Sequence, residues 1–282
     1  MSEGSNADQV AYWNGEAGAK WVAGQERMDA LFADLTAAAL DAAGVRPGET
    51  VIDVGCGCGA TTLALAARVG AQGRVLGVDV SRPMLDRAAE RASGLAQVRF
   101  ELADAAAFVF PPAAADLVFS RFGVMFFADP VAAFANLRRA LLPGGRLAFV
   151  CWQGPRENPF FHVPLDAARP FAPPLPPPDP LAPGPFAFAD QARVRHILEA
   201  AGFRAIRVGP YATQLRVGAA GEDIAAVAAR ALQLGPVSRL LAESDESART
   251  RIHAAVRDAL AARAGPDGVL LGARVWFVAA DV

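Results

Sequence analysis

The sequence predicts an α/β domain: a mostly parallel sheet with helices on both faces. Three observations carry that prediction. Short apolar runs, at 51–54, 74–80, 98–102, 115–119 and 146–152, alternate with helical patterns. The run Val51-Ile52-Asp53-Val54 feeds straight into Gly55, Gly57 and Gly59, and a helical pattern then covers Thr61 to Val69. That strand, turn and helix are the order of a nucleotide cradle. Finally, 282 residues with 53% hydrophobic content suffice for one large α/β domain with additions, or for two small ones.

Residues 1–47 read as N-terminal cap helices. Tyr12, Trp13 and Trp21 stand there among small residues. One leading helix over 10–22 would set Trp13 and Trp21 about two turns apart, on one face. Two roles stay open: aromatics docked on the domain, or a cap closing over a cationic ligand. From Gln25 to Ala43, Met28, Leu31, Phe32, Leu35 and Leu40 form a helical stripe, ended by Gly44 and Pro47-Gly48.

The glycine turn admits two spacings. Glycine suits it because a side chain would block a ligand's approach and resist the positive φ of a tight turn. As Gly55-x-Gly57-x-x-Ala60 it meets the dinucleotide fingerprint, with Asp79 about 20 residues on for a ribose. It also reads as Asp53-x-Gly55-x-Gly57-x-Gly59, and later sequence has to decide.

The second strand, Arg74 to Val80, closes at Asp79, where a carboxylate can accept both ribose hydroxyls at the edge that faces the ligand crevice. Ser81 reads as the N-cap of the next helix, with Pro83 in its first turn and Met84 placed for a purine face. The third strand, Val98 to Leu102, ends at Asp104-Ala105. There the acid either accepts an adenine amino group beside the small alanine or caps a turn. The fourth, Ala115 to Phe119, exits through Ser120-Arg121-Phe122-Gly123, and Arg121 is open either to an acceptor or to pairing with an acid. Asp129 and Pro130 begin a helix through Leu141. Pro143-Gly144-Gly145 then turns the chain into the fifth strand, Arg146 to Trp152.

Taken together, Asp53-x-Gly55-x-Gly57-x-Gly59, Asp79, Asp104-Ala105, Ser120-Arg121-Phe122 and Leu142-Pro143-Gly144-Gly145-Arg146 resemble the successive motifs of the class I S-adenosylmethionine (SAM) dependent methyltransferases. The likeness covers residues 50–152 and is greatest to the small-molecule branch that includes ubiquinone and menaquinone C-methyltransferases. It implies a Rossmann-like, seven-stranded, mostly parallel sheet, SAM as cofactor and S-adenosylhomocysteine as product. It also implies a cofactor set of Trp21, Asp53, Gly55, Gly57, Gly59, Asp79, Val80, Met84, Asp104, Ala105 and Ser120. A nicotinamide dehydrogenase is not expected to carry the Leu-Pro-Gly-Gly turn, which decides between the two spacings.

Beyond residue 152 the pattern thins, although 1–282 is still expected to form a single domain. Residues 153–190 read as a proline-rich lid insert, with nine prolines from Pro170 to Pro185 among Phe160, Phe161, Phe171, Phe186 and Phe188. Such density favours stiff, extended chain that carries aromatics over the pocket, without regular helix. A ligand for a proline-recognising partner is the lesser reading. Residues 191–217 return to the core, with a helix capped by Asp190 and ended by Gly202, then a sixth strand interrupted at Gly209-Pro210. Residues 218–266 read as a helical lid insert broken at Gly235-Pro236, and 267–282 as the last, antiparallel strand.

Methyl transfer from SAM is in-line displacement at an activated carbon, so orientation, worth roughly 7–11 kcal/mol, is the main tool. A base is needed only if the acceptor must lose a proton. The catalytic candidates are His162, Tyr12 and Arg121; Tyr211 is a further option, and His196 and His253 read as ordinary helix residues. Cys56, Cys58 and Cys151 lack zinc spacing, and the first two read as small residues in a crowded turn, with a thiol near the cofactor that affects redox sensitivity as the alternative. The expectation is metal-independent methylation of an apolar, aromatic or polyketide-like small molecule. A SAM-binding cyclase or decarboxylase, and a non-catalytic subunit, are the rivals. A net charge of −2, with Lys20 the only lysine, predicts no attraction to nucleic acid. Without an apolar leader or a membrane-spanning run, the chain reads as cytoplasmic. Its oligomeric state stays open, a homodimer included.

Overall fold

The computed structural model describes residues 3–174, 176 and 179–282. The chain divides into two compact units: Met1–Trp152 with Ala182–Pro210 and Trp276–Val282, and Gln153–Leu181 with Tyr211–Val275.

The first unit begins with four short helices, α1 (Glu3–Asn14), α2 (Glu16–Ala23), α3 (Gln25–Leu31) and α4 (Ala33–Ala42). Two expectations are corrected here. The leading helix breaks at Gly15, so Trp13 and Trp21 lie on different helices, and the stripe from Gln25 breaks at Phe32. Glycine costs helix about 1 kcal/mol relative to alanine, which makes residue 15 a natural break. The aromatics still meet. Trp13 stands edge-on to Trp21, with centroids 6.2 Å apart, and edge-on to Phe126 at 5.4 Å.

Alternation of strand and helix then builds the sheet: β1 (Thr50–Val54), α5 (Ala60–Val69), β2 (Arg74–Asp79), α6 (Arg82–Arg91), β3 (Val98–Leu102), β4 (Ala115–Arg121), α7 (Pro130–Ala140) and β5 (Leu141–Trp152). β3, β2, β1, β4 and β5 lie side by side in that order, all parallel. The order turns back on itself at β1, between β2 and β4. In such sheets ligands bind beyond the strand C-termini at that switch point. The central strands are apolar on both faces, as burial between helix layers requires: Val51, Val54, Leu117, Val118, Phe119, Leu147 and Phe149 are all buried. The turn before β5 is absorbed into its pairing. Ala115 faces Leu141 and Leu117 faces Arg146, so residues 142–145 bulge between them.

Two long strands, β6 (Arg204–Gly218) and β8 (Gly268–Asp281), follow β5 in the order β5-β8-β6 and run through both units. β8 runs antiparallel to β5: Val282 N–H donates to Gly145 O, and Gln153 N–H to Arg274 O. β6 is continuous through Gly209-Pro210, where an interruption is expected. A two-residue strand, β7 (Ala264–Gly265), pairs with the start of β8 and makes the sheet eight-stranded rather than seven. α9 (Gln191–Ala200) is capped by Asp190, which accepts from Ala192 N–H at 2.8 Å, as the sequence indicates.

The second unit holds α8 (Pro159–Ala168), α10 (Ile224–Ala231), α11 (Pro236–Ala242) and α12 (Glu246–Ala261) with the inner lengths of β6 and β8. α8 is a helix, with Pro164 in its interior, inside the span expected to lack one. It precedes the dense prolines, and its Pro159 sits in the first turn, where a missing N–H costs nothing. Leu175, Pro177 and Pro178 of the proline run lie outside the described residues. Among the described residues no single helix is long and apolar enough to cross a membrane; one bent pair, α10 with α11, passes the length and composition test jointly.

Candidate active site at the ends of the first, second and fourth strands

The three glycines of the turn serve three different purposes. Gly55 has φ +68°, and a Cβ there would stand 2.6 Å from Gly123 Cα, so two backbones cross in contact. Gly59, at φ +83°, is the residue before α5, packed on Ala88 of α6. Gly57, at φ +54°, is the open one. A Cβ there would meet only Met84 Sδ at 3.8 Å and Trp21 Nε1 at 3.9 Å. Its side-chain position is a cradle between a thioether and an indole N–H, the space a close-approaching ligand needs.

Asp79 fixes that cradle. Its Oδ2 accepts from Gly57 N–H at 2.8 Å and its Oδ1 from Ser81 N–H at 2.9 Å. Burial pushes the carboxyl above its ordinary range, while the amides of Ser81, Gly57 and Val80 pull it back. A carboxylate has about four acceptor sites, so two amides leave capacity for two hydroxyls. Trp21, Gly57, Asp79 and Met84 are therefore gathered in one place.

Asp53 is fully buried beneath the turn. Its Oδ2 accepts from the hydroxyls of Thr61 and Thr62, both at 2.6 Å, and its Oδ1 has no partner. Burial raises its pKa to about 6, Asp79 adds to the rise, and the two threonines and the charge of Arg121 oppose it. An orphaned, buried acceptor on β1 fits a cationic ligand group. The open cradle and this orphan together fit a nucleoside cofactor with a charged tail.

The remaining expected residues each make contacts within the protein. Asp104 caps its turn, accepting from Ala106 N–H at 3.0 Å, and its other oxygen takes the Asn6 side-chain amide. Ala105 is buried and its carbonyl accepts from Asn136 Nδ2 at 3.0 Å. Val80 O accepts from Asn14 Nδ2 at 2.8 Å. Ser120 Oγ donates to Val54 O at 2.8 Å and accepts from Gly123 N–H, stitching the exits of β1 and β4 together. Ser81 occupies the N-cap position without capping, because its hydroxyl donates to Trp13 O at 2.7 Å.

Among the described residues Arg121 makes no ion pair with an acid. Its guanidinium donates to Thr36 Oγ1 at 2.6 Å and lies 5.4 Å from the centroid of the Phe32 ring. Nε is buried without a partner. Burial lowers its pKa, while the charges of Asp29 and Asp53 act through space to raise it. The next residue, Phe122, takes φ +68°, rare for a non-glycine, and stacks on Trp152 with centroids 4.4 Å apart. Tyr12 is exposed and edge-on to Trp13. His162, on α8 of the second unit, has Nδ1 3.3 Å from Asp166 Oδ2 one turn on. Cys56, Cys58 and Cys151 are buried, and burial raises all three thiols, Cys58 to about 11. Among the described residues no group of three or more His, Cys, Asp or Glu side chains is arranged to hold a metal ion.

Sequence reasoning misses the residues that brace the turn from outside. Asn14 accepts from Arg82 N–H at 2.9 Å while donating to Val80 O. Arg91 of α6 donates to Cys58 O inside the turn and pairs with Asp29 of α3 at 2.5 Å. The only advance signal is the Thr61-Thr62 pair, two hydroxyls one turn after a buried acid.

Residues 51–145 match a methyltransferase-domain family. Aklanonic acid methyltransferase of Streptomyces sp. strain C5 is 39% identical over 104 residues, 36% of this chain and 47% of that protein. Demethylmenaquinone methyltransferase of Staphylococcus aureus is 36% identical over 102 residues, 36% of this chain and 42% of its own length. The chain thus spans less than half the length of these curated relatives. A putative methyltransferase of Bacillus halodurans C-125 shares the fold, with a TM-score of 0.55 at 18% identity over 87% of this chain and 97% of that one. Residues 51–145 are thus similar to a methyltransferase domain, and the open glycine turn after β1 lies within the matched span.

Proposed function

We propose that the chain transfers a methyl group from SAM to an apolar, aromatic or polyketide-like small molecule. One observation carries the reading: Asp79 holds the amide of Gly57 at 2.8 Å while Gly57 opens between Trp21 and Met84. Asp79 keeps two acceptor sites that would take ribose hydroxyls, Met84 and Ala105 would border the purine, and Asp104 would accept from its amino group. Two relatives named for small organic acceptors support that acceptor class.

When bound, SAM supplies a methyl carbon activated by its sulfonium. The protein's own part is to orient, to exclude water and, where an acceptor requires it, to take a proton. Trp13, Trp21 and Phe126 give an apolar, π-rich wall beside the turn, suited to a sulfonium. Removal of a proton is assigned to His162, whose imidazole Asp166 orients, with Tyr12 the second choice. Arg121 remains a candidate for facing the acceptor rather than for taking a proton, because a guanidinium has no acceptor atom and keeps its proton. Acceptor selection is assigned to residues 153–190 and 218–266. The same reading places the protein in the cytoplasm, acting on small molecules rather than nucleic acid; light scattering would reveal a homodimer.

The test is incubation with SAM and a panel of aromatic and polyketide-like acceptors, read by mass. A product heavier by one methylene supports the proposal. A product of unchanged mass indicates a cyclase, and lost carbon dioxide a decarboxylase. Asp79→Ala should weaken S-adenosylhomocysteine binding by about tenfold or more, the loss of charge-assisted hydrogen bonds. Unchanged affinity would remove Asp79 from the site.

A further inference from the structure

β3 is an outer strand of the sheet. β2 pairs with one side of it, and among the described residues no strand pairs with the other. Such an edge is a row of donors and acceptors open to a further strand, which proteins blunt with proline, bulges or charge. β3, Val98-Arg99-Phe100-Glu101-Leu102, has no proline and no bulge, and its two charges are of opposite sign. Its backbone direction is fixed by two bonds: Val75 N–H donates to Gln97 O, and Ala103 N–H donates to Asp79 O. In a parallel ladder alternate residues turn both backbone groups to one neighbour, so Arg99 and Glu101 also face β2. Val98, Phe100 and Leu102 therefore face outward. Side chains alternate as well. The Phe100 ring lies on Gly77, where a Cβ would stand 2.7 Å away, and beside Gly59; Val98 and Leu102 share that face. Leu102 is 39% exposed. Arg99 and Glu101 stand exposed on the opposite face.

We infer that two copies of this chain pair antiparallel through β3, about a two-fold axis at Phe100. In that register Phe100 exchanges both backbone bonds with the partner's Phe100, and Leu102 N–H donates to the carbonyl of the partner's Val98. Val98 N–H takes no part, because it already donates to Leu95 O. On one face Leu102 covers the partner's Val98. On the other, Arg99 stands opposite the partner's Glu101, in the non-hydrogen-bonded pair where side chains come closest. The axis repeats each contact, so the strand is its own complement, apolar against apolar and arginine against glutamate. Charge also selects the register. The smallest slip that keeps the bonds in phase, two residues either way, would set Arg99 against the partner's Arg99, or Glu101 against the partner's Glu101.

Sedimentation velocity at micromolar concentration tests it. Wild type is expected to sediment at twice the chain mass. Arg99→Glu alone and Glu101→Arg alone each set like charges opposite one another, and should weaken the dimer by about tenfold or more. The double variant R99E/E101R restores opposite charges and should dimerise as wild type does, as should a mixture of the two single variants. A monomeric wild type overturns the inference, as does a dimer indifferent to both reversals or a double variant that stays monomeric. Amide exchange gives a second readout that needs no variant. The Phe100 and Leu102 amides should exchange more slowly in concentrated than in dilute wild-type solution, and the Val98 amide equally in both. Concentration-independent exchange at Phe100 and Leu102 in a protein that dimerises would put the interface elsewhere and overturn the inference.

Discussion

The glycine turn and the N-terminal helices border the same residue, Gly57, and they are built by opposite rules. The turn is fixed by backbone: positive φ at Gly55, Gly57 and Gly59, and a backbone-to-backbone crossing with Gly123. The helices are fixed by side chains reaching backbone atoms of other elements, as Asn14 does at Val80 and Arg82, and Ser81 at Trp13. Backbone rules leave a mark in sequence because only one residue type satisfies them. A side-chain amide that finds a distant carbonyl leaves none, since an exposed helical asparagine looks the same. This is why a motif identifies the glycine turn and not the helices beside it.

The comparison breaks most readily at Gly55. Gly55→Ala places a Cβ 2.6 Å from Gly123 Cα at φ +68°. It is expected to cost about 3–4 kcal/mol from strain and overpacking together. Thermal melting should show a large drop, with S-adenosylhomocysteine binding lost. A variant that melts like wild type would mean that the two backbones do not cross there.

A second effect lies in Asp53. Its folded pKa, about 6, is above the ordinary aspartate value, so the folded state binds the proton more tightly. The resulting stability is fully present below the unfolded pKa and is lost as pH rises through about 6. The shift corresponds to up to about 3 kcal/mol. Urea melts between pH 4 and 7 should therefore show wild type losing stability with rising pH relative to Asp53→Asn. Parallel curves would show that Asp53 is not the titrating group.

The smallest change sharpens the contrast. Asn14→Ala removes the bonds to Val80 O and Arg82 N–H, and is expected to cost about 1–2 kcal/mol. Hydrogen exchange should quicken in α1 and α2 and stay unchanged in β1 and α5. Equal quickening in both would make the helices and the turn one cooperative body.

Much of the fold was legible because periodicity and punctuation coincide. β1, β3, the cap at Asp129 and the cap at Asp190 all fall where residue type demands them. Where propensity is weak, reading fails. The breaks at Gly15 and Phe32 divide helices whose apolar stripe runs on without interruption, and the strand through Gly209-Pro210 continues because pairing with β8 outweighs local preference. In the site, Asp79 and Gly57 were readable from a spacing. The partial satisfaction of Asp53 and Arg121 was not, since which atom of a buried charge lacks a partner depends on tertiary geometry.

Calorimetric titration of the wild-type chain with S-adenosylhomocysteine, with NAD as the control ligand, tests the central claim most directly. Saturable binding of S-adenosylhomocysteine alone, with a dissociation constant on the order of micromolar, is the predicted result. Binding of NAD alone would make Gly55-x-Gly57-x-x-Ala60 a dinucleotide turn and contradict the methyltransferase account.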